Sequence, residues 1–171
     1  MVEAIIENYL NAEDVLEVEK IIQREGSWKY TGHSDNKDPH GLTFWYMDLL
    51  DTFPEFVNKH LHRIENIFNK KFKVNNAYIN GHTYSQDGSF HQDDIEPGTY
   101  TFLIYSTPSI NETNTLQAGG LTEFWMGPEL LKVEPIFGRA ILFDSRIKHR
   151  GTAPYLKNIL RTTIAFKLKL V

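Results

Sequence analysis

The sequence predicts an α+β domain in which helices pack outside a β-sandwich or barrel. Two segments of the first half carry apolar side chains at three- and four-residue spacing, which is typical of amphipathic helices. From residue 72 onwards, short runs of alternating polarity are separated by turns that contain glycine. Helices grouped ahead of the strands favour an α+β arrangement over alternating strand–helix units.

The chain begins with a predicted short strand over residues 4–10. Asn11 then suits a helix N-cap, with the acidic Glu13 and Asp14 in the first turn, where the helix dipole favours negative charge. An apolar stripe follows and predicts a helix over residues 12–24: Val15, Val18, Ile21 and Ile22.

The second helix is predicted to begin at Asp51 and has the clearer apolar stripe: Phe53, Phe56, Val57, Leu61, Ile64, Ile67 and Phe68. His60 and His62 lie between these positions, and we expect both on a solvated face, since that is the commoner place for polar residues. Three segments are expected between the helices: residues 27–31 as extended chain, 32–41 as a polar loop and 42–50 as a strand.

The second half is predicted to consist of strands. Alternation places one polar set on a single face of the first strand: Asn76, Tyr78, Asn80, His82 and Tyr84. Further strands are expected over residues 100–106, 119–126, 138–144 and 161–170. In the last strand, one face is mostly apolar and the other carries a mixed set: Arg161, Thr163, Ala165, Lys167 and Lys169.

Length and composition limit the classes of protein and of site. A chain of 171 residues suits a single domain over residues 1–171, and a net charge of −4 disfavours a nucleic-acid partner. The absence of cysteine excludes thiolate sites, so any metal must be held by histidine and carboxylate. The N-terminus lacks the pattern of a signal peptide, and no apolar run reaches the length of a membrane span. We therefore expect a cytoplasmic protein that does not enter membranes.

The chemistry is concentrated in the stretch from Gly81 to Asp94. His91 and Asp93 lie two residues apart after an extended run, and His149 follows a later strand. A His-x-Asp triplet alone is a weak signal because it arises by chance. Together with a second histidine it predicts a metal site, because two imidazoles and one carboxylate on one face of an iron leave three positions open.

Arg161 opens the last predicted strand, and its same-side neighbours Thr163 and Ala165 are small. Small residues at such positions leave a cavity, where large apolar ones would fill the interior. A buried guanidinium needs an anion, and its fork suits a carboxylate. The sequence therefore predicts a carboxylate-binding position close to the metal site.

Seven segments, in this order and spacing, resemble the Fe(II)/2-oxoglutarate-dependent dioxygenases, and within them the prolyl 4-hydroxylase-like branch: residues 6–14, 84–93, 103–106, 119–124, 138–145, 149–151 and 161–166. The resemblance covers nearly the whole chain. It implies a double-stranded β-helix, or jelly roll, with the N-terminal helices packed on the outside. The implied reaction hydroxylates a C–H bond while 2-oxoglutarate is converted to succinate and carbon dioxide.

The resemblance also implies roles for single residues. The iron ligands are expected to be His91, Asp93 and His149. Arg161 is expected to hold the distal carboxylate of 2-oxoglutarate, and three further side chains are candidates for the same pocket: Tyr84, Tyr105 and Thr163. Fe(II) and the co-substrate 2-oxoglutarate are thus implied, with ascorbate as a supporting reductant.

The substrate is less well defined, because a fold does not dictate the oxidised molecule. Residues 119–124 and 138–145 favour a peptidyl-prolyl hydroxylase acting on a peptide or protein. The run from His91 to Asp94 is also similar to AlkB-type nucleic-acid demethylases, but Lys167 stands where those proteins typically carry a second arginine. A non-catalytic jelly-roll binding module is the third alternative. The sequence permits a lid formed by residues 32–46 and leaves the oligomeric state open.

Overall fold

The computed structural model describes residues 1–24, 27–34, 41–111 and 113–171, and these form three helices and ten strands. The helices are α1 (Ala12–Ile22), α2 (Pro54–Phe68) and the short α3 (Thr115–Ala118). The strands are β1 (Val2–Ile6), β2 (Lys29–Gly32), β3 (Phe44–Asp48), β4 (Phe72–His82), β5 (Thr99–Tyr105), β6 (Thr122–Met126), β7 (Glu129–Val133), β8 (Ala140–Asp144), β9 (His149–Gly151) and β10 (Arg161–Leu170).

The strands form two antiparallel sheets that face each other. The large sheet has the order β1-β8-β5-β10-β4-β3-β2, and the small sheet has the order β7-β6-β9. An isolated bridge between His91 and His149 adds the chain before β5 to the edge of the small sheet. This is the predicted jelly roll, with one face of the large sheet turned towards the small sheet and the other towards the helices.

Helices α1 and α2 cover the outer face of the large sheet, as predicted. The core between them combines helix residues with alternate strand residues: Val18, Ile21, Phe56, Ile64, Ile79, Phe102, Ile164 and Phe166. Because side chains alternate along a strand, the other residues of β4 and β10 must point into the space between the sheets. The helices thus leave one face of the large sheet free for a site.

The helix boundaries follow from local hydrogen bonds. Asn11 and Asp14 form a capping box at the start of α1, with bonds of 2.9 and 3.0 Å between each side chain and the other's backbone N–H. Helix α2 begins at Pro54 and not at the predicted Asp51, because the Asp48 carboxylate accepts the Asp51 N–H and holds a turn there. It ends at Phe68, and the C-cap residue Asn69 adopts a left-handed conformation.

Several strands differ from prediction: β6 begins at Thr122 and not at residue 119, β8 begins at Ala140 and not at residue 138, and the short β9 was not predicted. Strand β1 covers Val2–Ile6 and not residues 4–10, because Asn8 has a positive φ and turns Tyr9 and Leu10 into the helical core. Strand β7 was not predicted, since four of its five residues are exposed and give no alternating pattern. It pairs with β6 as a hairpin.

His60 contradicts the prediction of a solvated histidine, whereas His62 is 74% exposed and agrees with it. The His60 side chain is fully buried, and the Tyr9 hydroxyl lies 3.0 Å from its Nδ1. Its Nε2 has no hydrogen-bond partner among the described residues and lies 3.9 Å from Asp14. Burial lowers the pKa of His60 to about 4, so the ring is neutral near neutral pH.

None of the helices in the described part of the chain combines the length and apolar composition that crossing a membrane requires.

Candidate active site

The three predicted metal ligands lie together at the edge of the small sheet. His91 and His149 exchange two backbone hydrogen bonds, of 3.0 and 2.9 Å, and their ring centres are 4.5 Å apart. Asp93 lies between the rings, with Oδ1 3.3 Å from His91 Nε2 and Oδ2 3.4 Å from His149 Nε2. The three potential ligand atoms lie within 4.8 Å of one another, which brings the group within reach of one metal ion.

Hydrogen bonds to the backbone orient both imidazoles. His91 Nδ1 is 2.9 Å from the Ser89 carbonyl, and His149 Nδ1 is 2.9 Å from the Ile147 carbonyl. A carbonyl oxygen only accepts, so each Nδ1 carries the proton and each Nε2 presents a lone pair. Two lone pairs and a carboxylate that converge in this way form a donor set for a cation.

Two side chains of the large sheet contact the Asp93 carboxylate. The Thr101 hydroxyl donates to its Oδ2 over 2.6 Å, and the Lys167 ammonium forms an ion pair with the same oxygen. Burial tends to raise the pKa of Asp93, but the positive charge of Lys167 outweighs it and keeps that pKa well below its usual range. The carboxylate is therefore ionised and ready to bind a cation.

A pocket of about 330 Å³ lies between the two sheets, and His91, Asp93 and His149 form part of its lining. Its walls come from alternate residues of the large-sheet strands and from the facing small sheet: Tyr46, Asn76, Tyr78, Asn80, His82, Thr101, Leu103, Thr122, Phe143, Gly151, Arg161, Thr163, Ala165 and Lys167. Its mouth is lined by residues 31–34 and Phe44. The predicted lid over residues 32–46 remains a prediction, because residues 35–40 lie outside the described part.

Arg161 is buried in this pocket, and the described residues provide it with no negative partner. Its side chain donates to the Gly120 carbonyl over 2.8 Å and to the Thr122 hydroxyl over 3.1 Å. Among the described residues no carboxylate forms an ion pair with it, although the residue is only 2% exposed. His82 pairs with Arg161 across the strands, and burial together with the Arg161 charge lowers the pKa of His82 to about 4. The guanidinium therefore lacks an anion.

Glycines provide the space around this guanidinium. A Cβ on Gly151 would lie 3.1 Å from Arg161 Nη1, and a Cβ on Gly120 would lie 3.1 Å from Arg161 Cγ. Gly120 also has a φ of +79°, a conformation that favours glycine. Gly120 and Gly151 thus leave the space that the Arg161 side chain occupies.

The other predicted pocket residues have three different placements. Thr163 lines the pocket beside Arg161. Tyr105 lies behind it, with its ring centre 5.7 Å from the Arg161 guanidinium and its hydroxyl donating to Thr122 over 2.7 Å. Tyr84 was wrongly placed, because β4 ends at His82 and the chain turns away. Tyr84 is 47% exposed and packs against Lys157 outside the pocket.

Several pocket residues were not predicted to belong to the site. The sequence did predict correctly which face of their strand they share. Alternation put Tyr78, Asn80 and His82 on one face of β4, and Lys167 on the same face as Arg161. Only pairing between the strands shows that these two faces meet; Thr163 lies opposite both Asn80 and Tyr105. The missing information was the strand order, which a single sequence does not contain.

No family model matches the chain, and no curated protein sequence matches it. Solved structures do. A 2-oxoglutarate–Fe(II) oxygenase family oxidoreductase from Burkholderia pseudomallei superimposes with a TM-score of 0.74 at 12% identity, over 97% of this chain and 84% of that one. A viral collagen prolyl hydroxylase from Paramecium bursaria Chlorella virus-1, solved with 2-oxoglutarate, has a TM-score of 0.68 at 16% identity, over 98% and 96%.

A third similar structure carries out a different reaction. The α-ketoglutarate-dependent epimerase SnoN of nogalamycin biosynthesis has a TM-score of 0.67 at 11% identity, over 97% of this chain and 77% of that one. At such identities the similarity establishes the fold alone. The chain has the jelly-roll fold of the Fe(II)/2-oxoglutarate oxygenases, as predicted.

Proposed function

We propose that this protein is an Fe(II)- and 2-oxoglutarate-dependent dioxygenase, formed as one domain over residues 1–171. The observation that carries the proposal is a single pocket with a set of metal donors at one end and a buried arginine at the other. At the first end, two imidazole nitrogens and a carboxylate converge within 4.8 Å. At the second end, Arg161 is 2% exposed and has no acidic partner among the described residues. A dicarboxylate could bind a metal with one end and Arg161 with the other.

His91, Asp93 and His149 fit Fe(II), since two imidazoles and one carboxylate are a donor set typical of such iron sites. When bound, Fe(II) would activate oxygen, and 2-oxoglutarate would supply two electrons as it loses carbon dioxide to become succinate. One oxygen atom then enters the succinate and the other the substrate C–H bond. The residues of the chain bind and orient these reactants.

Arg161 would bind the distal carboxylate of 2-oxoglutarate through its free guanidinium edge. The Gly120 carbonyl and the Thr122 hydroxyl already fix the guanidinium, so little conformational entropy is lost on binding. Tyr105 would act through Thr122 and by packing beneath the guanidinium. Thr163 would contact the ligand directly from the next inward position of β10.

The favoured substrate is a prolyl residue of a peptide or protein. Support comes from the sequence resemblance and from the prolyl hydroxylase among the similar structures. Lys167, at the place of the second arginine of AlkB-type proteins, is paired with Asp93 and offers no spare charge for a phosphate. Because one of the similar structures is an epimerase of nogalamycin biosynthesis, a small-molecule substrate is the alternative to a prolyl residue. A non-catalytic module gives no reason for a buried, unpaired arginine.

The experiment incubates the protein with Fe(II), ascorbate, 2-oxoglutarate and candidate substrates, and measures succinate together with substrate mass. We expect a proline-containing peptide to gain one oxygen atom with a matching rise in succinate, and His149→Ala to abolish both. Demethylation of a methylated oligonucleotide without any oxidised peptide would contradict the substrate assignment. Absence of succinate under all conditions would contradict the enzymatic function itself.

A further inference from the structure

Lys167 lies beside the proposed metal ligands, and the function proposed above gives it no role beyond its pairing with Asp93. Its ammonium pairs with Asp93, lies 3.4 Å from the Thr101 hydroxyl and 5.5 Å from the centre of the Tyr78 ring. Only 20% of the side chain is exposed, and Asp93 is its one acidic partner among the described residues. Separating a buried ion pair leaves an uncompensated charge, so the two side chains are tightly linked.

The two oxygens of Asp93 have different surroundings. Oδ2 lies 3.4 Å from His149 Nε2, accepts a 2.6 Å hydrogen bond from Thr101 and also pairs with Lys167. Oδ1 faces His91 Nε2 at 3.3 Å, and no hydroxyl or ammonium of the described residues binds it. Carboxylates bind metals through one oxygen or through both. Here one oxygen is already occupied by protein donors.

The donors to Oδ2 are fixed by the fold. Thr101 and Lys167 are direct cross-strand partners in β5 and β10, so their side chains lie next to each other on the inner face. Both strands lie inside the seven-stranded sheet, paired on both sides. Asp93 therefore meets a rigid pair of donors and cannot rotate without losing both.

We propose that Lys167 is a positioning residue that keeps Asp93 a single-oxygen metal ligand. The proposal rests on the metal site proposed above. A carboxylate that binds through one oxygen leaves three coordination positions open, which a chelating 2-oxoglutarate and oxygen together require. The positive charge of Lys167 also repels the metal, so this arrangement lowers metal affinity while keeping the positions open.

Lys167→Met removes the charge and keeps an unbranched side chain that fits the same space. Oδ2 then loses its ionic partner and becomes able to bind the metal, and the repulsion disappears. We expect the dissociation constant of Mn(II) to fall about tenfold. The dissociation constant of 2-oxoglutarate for the Mn(II)-loaded protein should rise about tenfold, because an open position is lost. A merely structural role would weaken both affinities or neither.

The test titrates Mn(II) into the metal-free protein and then 2-oxoglutarate into the Mn(II)-loaded protein, both by calorimetry. Lys167→Arg keeps the charge and should stay close to the wild type. Lys169→Met is the matched control, since Lys169 follows on the same face of β10 but bonds the Pro97 carbonyl. Opposite shifts of the two affinities in Lys167→Met alone would support the proposal.

Unchanged affinities in Lys167→Met, or a parallel loss of both, would overturn the proposal. If this variant fails to fold, Thr101→Val removes the other donor to Oδ2 with almost no change in shape. It should shift both affinities in the same two directions by about threefold, and the absence of any shift would overturn the proposal. A wild-type protein that binds no Mn(II) would instead contradict the proposed function.

Discussion

Arg161 holds a positive charge at 2% exposure with two neutral acceptors and no acidic partner among the described residues. Burial of such a charge is unfavourable unless a ligand compensates it. The surrounding glycines leave space for a carboxylate on the pocket side of the guanidinium. Under the proposed function, this unfavourable burial is compensated when the ligand binds, which is a common property of functional sites.

Replacing Arg161 with methionine should weaken 2-oxoglutarate binding to the Mn(II)-loaded protein by about 10²-fold, because a desolvated charge pair is lost. Mn(II) affinity should stay the same, since the guanidinium does not contact the three ligands. Calorimetry measures both constants. Arg139→Met is the control, because Arg139 pairs with Glu7 outside the pocket. An equal loss in the control, or none in Arg161→Met, would place the carboxylate elsewhere.

Sequence patterns predicted that the proposed metal ligands and Arg161 would lie at one pocket, where the structure has them, but they also placed Tyr84 there. His91, Asp93 and Arg161 fall on strand-like positions whose side is set by alternation. Tyr84 would share that side only if β4 continued past His82, but it ends there and Ser85 has a positive φ. A turn of this kind depends on the Gln86 side chain, which accepts the Thr83 N–H over 2.7 Å. Nothing in the strand pattern reports such a bond.

Among the elements, the turn before β6 has the strongest influence on the site. Gly119 and Gly120 both have positive φ, and the Gly120 carbonyl accepts the Arg161 side chain. The turn therefore contributes a hydrogen bond, an empty space and the direction of the strand that carries Thr122. Gly120 therefore affects the pocket around Arg161 as well as the path of the chain.

Gly120→Ala should lower stability by about 1 kcal/mol from the positive φ and also weaken 2-oxoglutarate binding about tenfold, because its methyl group displaces Arg161. Gly127→Ala is a matched control. Gly127 has a φ of +75°, but its added methyl group would meet nothing within 4 Å. It should lose similar stability in urea unfolding and keep full affinity. Equal affinities in the two variants would contradict the displacement of Arg161.

The elements themselves were predictable to different degrees. Strand β10 has the predicted bounds, since Arg161–Leu170 alternates between an apolar helix-facing side and a pocket side. Strand β7 was missed because both of its faces are largely exposed and its pairing with β6 depends on a glycine turn. Alternation is informative only where one face is buried, which explains the difference.

At the scale of the whole molecule, a buried polar network joins the N-terminal segment to the helices. Tyr9 bonds His60 on α2, while Asp14 on α1 pairs with Lys59 and Arg63 of α2. His60 stands four residues after Phe56 and four before Ile64, so it belongs to the buried face of α2. That spacing would have predicted a buried His60. The prediction of a solvated side chain was wrong because it followed the general preference of histidines for the surface.

This network predicts a loss of stability in acid. The pKa of His60 is about 4 in the folded protein and 6.5 without burial, so below about pH 6.5 the unfolded chain binds the extra proton. His60 should contribute a fall in stability of about 3 kcal/mol as pH decreases from about 6.5 to about 4. His82, whose pKa is also lowered to about 4, should add a fall of its own over the same range. Urea unfolding across this range should show a smaller fall for His60→Gln, with exposed His62→Gln as control. The same pH dependence in His60→Gln would exclude His60 as the cause.

The proposed function requires one pocket to bind a metal and 2-oxoglutarate together, each through its own residues. The most direct measurement is calorimetric titration of 2-oxoglutarate with and without Mn(II), using the wild type and His91→Ala. We expect one molecule of 2-oxoglutarate per chain, bound strongly only when Mn(II) is present and only weakly in His91→Ala. Binding that is independent of metal and unchanged in His91→Ala, or no binding at all, would contradict the claim.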